Sequence, residues 1–264
     1  MPSPRTVHLS TALLAGLLIA LLGCQAGPTV KDEPALVEAQ RLKAAGQHGE
    51  ALLVARRFLN EQPASPYRSD AFLLIGECEL VAGDYDEAQR DFQEAQIQPR
   101  NSAISAQAKF GMGQAAFARD QYGDAVRAYE AALNTDANSI AADKALYKLG
   151  FAYIRNQNWT EGRRRLRQLT EKYPNSPRTE EAADVLAMTH DVFQLKCGSF
   201  ATVAGLDGHL AKLRSMNLAP VVVPITRQGM TQKSVRVGSY TTFAEARAAA
   251  DALRARGVNC FIFP

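Results

Sequence analysis

The chain has 264 residues, 47% of them hydrophobic and 22% charged, with a formal net charge of +3 and four cysteines. That length accommodates two domains. The charge is divided unevenly: residues 24–191 carry 20 basic and 24 acidic side chains, residues 192–264 nine and three, so the basic end calls for an acidic or polar partner. Because this basic end follows an export signal, described next, nucleic acid is excluded as that partner.

Arg5 precedes an apolar stretch from Leu9 to Leu22, which ends in Leu21-Leu22-Gly23-Cys24. This is the layout of a secretory signal, and the run is short for a membrane-spanning helix of about 20 residues. Leu-x-Gly-Cys resembles the bacterial lipobox. The resemblance implies removal of residues 1–23, lipidation of Cys24 and a linker over 24–33. Gln25, where an Asp would retain the protein, implies carriage to the outer membrane of a Gram-negative cell, on its periplasmic face. Three acyl chains anchor well beyond the marginal hold of one.

From residue 34 the chain repeats. Ser65, Ser102, Ser139 and Ser176 are each 37 residues apart, and the same step links Gly76, Gly113 and Gly150; Ala51, Ala88, Ala125 and Gly162; Phe58, Ala95, Ala132 and Leu169; Tyr85, Tyr122 and Trp159. A fixed period of this size marks a stacked helix–turn–helix unit. Ser65-Pro66 and Ser176-Pro177 suit a cap followed by the first helical residue. Mid-helix glycine costs about 1 kcal/mol against alanine, so its recurrence marks close helix contact. Ala88, Phe92 and Ala95, or Ala125, Tyr129 and Ala132, form the stripe of a second helix. This pattern resembles the tetratricopeptide repeat, with a period three residues longer than the usual 34 and a degenerate first copy at Ala39, Ala51, Phe58 and Pro63. Four helix pairs are expected over Pro34 to Lys172. A capping helix over Pro177 to Asp191 would complete an all-α solenoid over 34–191.

After Asp191 the period changes. Val192–Cys197 reads as a strand, Ala204–Leu218 as a helix, and Ala219–Thr226, with Pro220 and Pro224, as an edge strand. Gly229 marks a turn, Lys233–Val237 alternates, Thr242–Arg256 is helical and Asn259–Phe263 closes a βαββαβ order. Leu195-Lys196-Cys197-Gly198-Ser199-Phe200 and Val235-Arg236-Val237-Gly238-Ser239-Tyr240, the latter followed by Ala244-Glu245-Ala246 and Leu253-x-x-x-Gly257, resemble the two halves of the SPOR domain. That family binds peptidoglycan. The resemblance implies a small α+β domain over 192–264, ferredoxin- or RNP-like, whose four antiparallel strands are backed by two helices. Its open face would bind glycan strands stripped of stem peptides, which accumulate at the septum.

Strand parity places Leu195, Cys197, Val235 and Val237 toward the helices, and Gln194, Lys196, Ser234, Arg236, Phe261 and Phe263 outward. Aromatic rings beside basic and amide groups suit sugars, so Gln194, Lys196, Ser199, Ser234, Arg236 and Phe261 are the candidate glycan contacts. Phe261 and Phe263 could instead cover the junction with the repeats. Compared with the family, Lys196 stands where Gln is usual and Ser234 where a basic residue is usual; Arg236 is placed to supply that charge. Cys78 reads as a small buried hydrophobe. In this fold Cys197 and Cys260 lie on neighbouring antiparallel strands, and the resemblance and an oxidising compartment together imply a disulfide.

No catalytic centre, metal or cofactor is read from the sequence. The basic domain's acids are Asp207, Glu245 and Asp251, the last two on a helix behind the sheet, whereas glycoside cleavage needs two carboxyl groups flanking the bond. His48, His190 and His209 lack metal-ligand spacing, and Glu77, Glu79 and Asp84 read as a solvated helix end. Together these resemblances imply a lipoprotein that would bind septal peptidoglycan and hold an envelope protein with its repeats, in cell division or wall remodelling. An outer-membrane assembly scaffold tethered to the wall, or an accessory of a wall-lytic enzyme, are the alternative readings.

Overall fold

The computed structural model describes residues 33–264, so the expected signal and Cys24 lie outside the described residues. Eight helices form four hairpins: α1 (Pro34–Ala44) with α2 (His48–Glu61), α3 (Arg68–Ala82) with α4 (Tyr85–Ile97), α5 (Ser102–Ala118) with α6 (Tyr122–Asp136), and α7 (Ala142–Arg155) with α8 (Trp159–Lys172). A short α9 (Thr179–Leu186) packs on α8.

The repeat period has a packing cause. A Cβ on Gly76 would lie 2.9 Å from the Phe92 ring, on Gly113 2.6 Å from the Tyr129 ring, and on Gly150 2.7 Å from Leu166. Those three large residues keep the same spacing and are fully buried, so each glycine is the slot for the next helix's bulk. The turn within each hairpin also recurs, with φ of +78° at Gly46, +88° at Gly83, +62° at Asp120 and +63° at Gln157. Glycine adopts this region freely, whereas Asp and Gln enter it at some cost.

Two helix boundaries differ from expectation. Ser65 and Ser176 do not cap helices; their Oγ atoms accept from the amides of Tyr67 (3.2 Å) and Arg178 (3.3 Å), forming local turns, and the helices start at Arg68 and Thr179. Such serine turns compete with helical geometry. α9 stops at Leu186 rather than Asp191, because the following residues leave it for other contacts: Met188 packs against the core and Asp191 pairs with Arg163 at 2.7 Å.

The second module has the expected order: β1 (Phe193–Phe200), α10 (Val203–Ser215), β2 (Val221–Arg227), β3 (Met230–Tyr240), α11 (Phe243–Ala255) and β4 (Phe261–Phe263). The sheet is antiparallel in the order β2-β3-β1-β4, which puts the proline-bearing β2 at an edge. β1 and β3 extend beyond the alternating runs seen in the sequence, because their ladder continues through register shifts around Lys196 and Gly198. Gln228 and Gly229, both at positive φ, form the two-residue turn between β2 and β3. The Ala244-Glu245-Ala246 phrase marks a helix start: Glu245 and Thr242 form a reciprocal capping box. Cys197 and Cys260 are joined by a disulfide with their Cα atoms 4.1 Å apart, and Cys78 is free and buried.

The two modules share a core. Tyr122 and Trp159, each the first residue of its repeat helix, meet Phe243 (5.4 Å) and Phe193 (5.2 Å) of the sheet module.

Gly113→Ala should destabilise the protein by about 1–3 kcal/mol, since the buried Tyr129 ring cannot yield. Gly49→Ala in α2, where an added Cβ meets nothing within 4 Å, should be neutral or stabilising by up to ~1 kcal/mol. Urea unfolding checks both; equal effects would refute the slot account. Thiol labelling of unfolded, unreduced protein should mark Cys78 and leave Cys197 and Cys260 unmodified.

Candidate functional site

The sheet face opposite α10 and α11 carries the predicted contacts, and parity is as expected: Leu195, Cys197, Val235 and Val237 are buried toward the helices. Arg236 pairs with Lys196, and Lys196 with Phe261, so these three form one row across β3, β1 and β4. Phe261 is 76% exposed, Gln194 and Lys196 are half-buried and Ser199 is exposed. Burial, followed by the Arg227 charge, holds the Lys196 ammonium below its ordinary range.

Three residues expected to be open on this face are buried: Ser234 at 0%, Arg236 at 5% and Phe263 at 5% exposure. The cause is that α9 and the connection after it run along the β2–β3 side of the sheet. Asp184 of α9 binds Arg227 at 2.6 Å, Glu180 accepts from the Gln228 amide at 3.1 Å, and Ile225, on the same face, is 3% exposed. The Arg236 guanidinium lies 4.2 Å over the Phe263 ring and donates to Gln194 Oε1 at 3.2 Å. Of the two sequence alternatives for the rings, Phe263 is covered and Phe261 is open.

Between this wall and the sheet lies a cleft of about 230 Å³, lined by Asp184, Met188, His190, Gln194, Val223 and Arg236 among others. Sequence reasoning missed Asp184 and Met188 as neighbours of the face. Their only signal is the charge contrast between an acidic α9 and the basic module.

In the repeats, a groove of about 550 Å³ is lined by residues of α1 to α7, chiefly α3, α5 and α7. Lys144 stands 5.6 Å from the Phe110 ring and Lys148 5.0 Å from the Phe117 ring. Tyr129 also lines the groove, its hydroxyl buried with no hydrogen-bond partner. Burial, with the nearby Arg155 and Lys144 charges, lowers the Lys148 pKa. Among the described residues no three His, Cys, Asp or Glu side chains are grouped to hold a metal, and no helix is long and apolar enough to cross a membrane.

One acidic residue departs from the solvated-face expectation. Glu79 is 2% exposed, bonded by Arg56 at 2.6 Å and adjacent to Asp91. Burial, then Asp91, pushes its carboxyl up to about 7 from an ordinary 4.5.

A solenoid with an open groove, fused to a small sheet with an exposed polar and aromatic face, presents two surfaces built for binding. Residues 190–264 match the SPOR domain, and residues 70–98 and 144–176 match the tetratricopeptide repeat. The chain carries tetratricopeptide repeats and a C-terminal SPOR domain, which are protein-interaction and peptidoglycan-binding modules, neither of them enzymatic. A SPOR domain suggests an envelope or periplasmic location. No curated protein matches the chain. Among solved structures, "MamA RS-1 ArsTM double mutant" is 17% identical with a TM-score of 0.50, covering 69% of this chain and 92% of its own. A tetratricopeptide repeat protein from Parabacteroides merdae is 16% identical with a TM-score of 0.49, covering 58% of this chain and 57% of its own. Another MamA structure is 19% identical with a TM-score of 0.47, covering 56% and 81%.

The Glu79 shift predicts a pH dependence. The folded state holds this proton more tightly than the unfolded state, so Glu79's contribution to stability is fully present below about 4.5 and is lost as pH rises through about 7. Glu79→Gln should therefore show a smaller fall in melting temperature from pH 5 to pH 8 than the parent. Arg56, about half exposed, can turn to water in the variant. Parallel curves would refute the assignment.

Proposed function

We propose that this protein is an envelope lipoprotein, anchored through Cys24 to the periplasmic face of the outer membrane. Its SPOR domain binds septal peptidoglycan stripped of stem peptides, and its repeats hold a protein partner, in cell division or wall remodelling. The observation that carries the glycan reading is the row Arg236, Lys196 and Phe261 on the sheet, with Phe261 open to solvent beside a cation. A sugar offers apolar ring faces to the aromatic and hydroxyls to the donors. The Lys144 and Lys148 end of the groove, free of any ion pair there, suits an acidic segment of the partner. The lipid anchor rests on the coincidence of the apolar leader with Leu21-Leu22-Gly23-Cys24.

Purified protein should pellet with amidase-treated peptidoglycan and less with intact sacculi. Lys196→Ala should lower that binding about tenfold or more, since hydrogen bonds to charged groups contribute roughly 1.5–3 kcal/mol, and Phe261→Ala should lower it several-fold through the lost apolar contact with a sugar ring. Stability should change by only about 0.5 kcal/mol, as at ordinary surface positions. A fluorescent fusion should gather at mid-cell. A uniform rim together with unchanged pelleting of both variants would reject this reading.

A further inference from the structure

Arg236 is an anomaly among the buried charges. Of the described charged residues less than a tenth exposed, Asp70 is paired with Arg100 (2.7 Å) and Glu79 with Arg56 (2.6 Å), whereas Arg236 has no carboxylate partner. Its Nε is buried without a hydrogen bond, as is the Oγ of Ser234. Asp184 lines the same cleft but is engaged by Arg227. A buried cation without an ion pair is costly to maintain, and burial lowers its pKa. Such a group is a seat for an anion arriving from outside.

The cleft in front of Arg236 has one wall from each module: Asp184, Ala187 and Met188 from the repeat side, Gln194, Val223 and Arg236 from the sheet. At about 230 Å³ it is smaller than the roughly 300–1,000 Å³ of a whole-ligand pocket, so it admits a side arm rather than a strand. Along the row, Arg236 and Phe261 are two strand spacings apart, roughly 10 Å. A sugar chain lying on Lys196 and Phe261 therefore passes the mouth of the cleft.

We propose, building on the glycan reading above, that the repeat module supplies one wall of the glycan site, and that the two-sided cleft receives a ligand carboxylate seated on Arg236. The carboxylate is the lactyl group of muramic acid. It is free once the stem peptide has been cut away. In intact peptidoglycan the same carbon is an uncharged amide carrying a peptide too large for the cleft. Preference for stripped glycan then has a physical source in one buried guanidinium and in a wall that the SPOR domain does not itself contain.

The test uses the full-length protein and three probes: stripped glycan strands, the same strands with carboxyl groups converted to neutral amides, and intact sacculi. The parent should bind the first at least tenfold more tightly than the other two. Arg236→Gln should bring the first two probes level. Ala187→Trp fills the cleft from the repeat side, at an exposed residue after α9, and should do the same with an unchanged melting temperature. That second variant keeps the test sound should Arg236→Gln fold poorly. Equal parental binding to free and amidated strands, or a full preference retained by Ala187→Trp, overturns the cleft while leaving the glycan reading intact. Intact sacculi bound as tightly as stripped strands would overturn the lactyl assignment in favour of stem-peptide carboxylates. No parental binding to any probe would remove the glycan reading itself.

Discussion

Arg155, at the end of α7, joins the molecule's two halves. Its guanidinium is 4.7 Å from the Phe117 ring and 5.7 Å from Tyr122 in the repeats, and 4.5 Å from Phe243 in the sheet module. Tyr122 meets Phe243 edge-on, Phe243 meets Phe193, and Phe193 meets Trp159, so the aromatic chain is continuous across the junction. Pairs of this kind add about 0.5–1.5 kcal/mol each beyond their burial, and cation–ring contacts a similar amount. One apolar cluster accordingly runs from Leu146 and Leu166 of the repeats to Leu213 and Leu253 behind the sheet. The groove and the sheet face are held at a fixed offset. Without the seam, α9 would be left to side-chain contacts such as Asp184–Arg227 to stay along the sheet and to keep the cleft at Arg236.

The charge contrast between the halves is partly consumed inside the molecule. Arg227 and Arg247 of the basic module bind Asp184 and Asp120 of the acidic one. Asp120 shows how a repeat position was given over to this purpose. It occupies the turn where earlier repeats have glycine, at positive φ, and its carboxylate accepts from Tyr122 and Arg247. Those bonds, Arg247 foremost, hold its pKa below the ordinary range. The surplus of basic groups in the second module is therefore not all available for a ligand. On the proposed glycan face, Arg227 is paired with Asp184, whereas Lys196 and Arg236 make no ion pair with an acid.

The repeat architecture was legible because packing imposes it residue by residue. A glycine that must admit a Phe, Tyr or Leu ring or branch recurs wherever that bulk recurs, and four helix pairs follow from the period. The sheet order was legible for a related reason: alternation, Gly-Ser-aromatic turns and two helices in fixed sequence leave few ways to fold. Parity likewise assigned the faces of Leu195, Val237 and Lys196. What could not be read was the partner of each face. Ser234, Arg236 and Phe263 have the pattern of an exposed surface, but α9 returns along the β2–β3 side and the Arg236 guanidinium lies over the Phe263 ring. The α9 contact links residues 43 apart, Asp184 and Arg227, through side chains with no periodic signature. Glu79 was misread for the same reason, since its burial depends on Arg56 and Asp91 from other helices.

The seam also bears on how an anchored protein would work. With Cys24 lipidated, as proposed, nine residues lie between the anchor and Pro34, which makes ten Cα–Cα steps. A fully extended chain of that length reaches at most roughly 36 Å, so α1 stays close to the membrane whatever path the linker takes. The solenoid then carries the sheet module away from α1 by four stacked helix pairs, and the seam prevents that module from swinging back. A flexible tether would let the glycan face sample many distances. Under the proposed function, a partner held in the groove and a glycan held on the sheet would be placed at one separation, and binding of the second ligand would need no further ordering of the protein. The gain is an effective concentration set by geometry, which falls away whenever the two targets do not match that span.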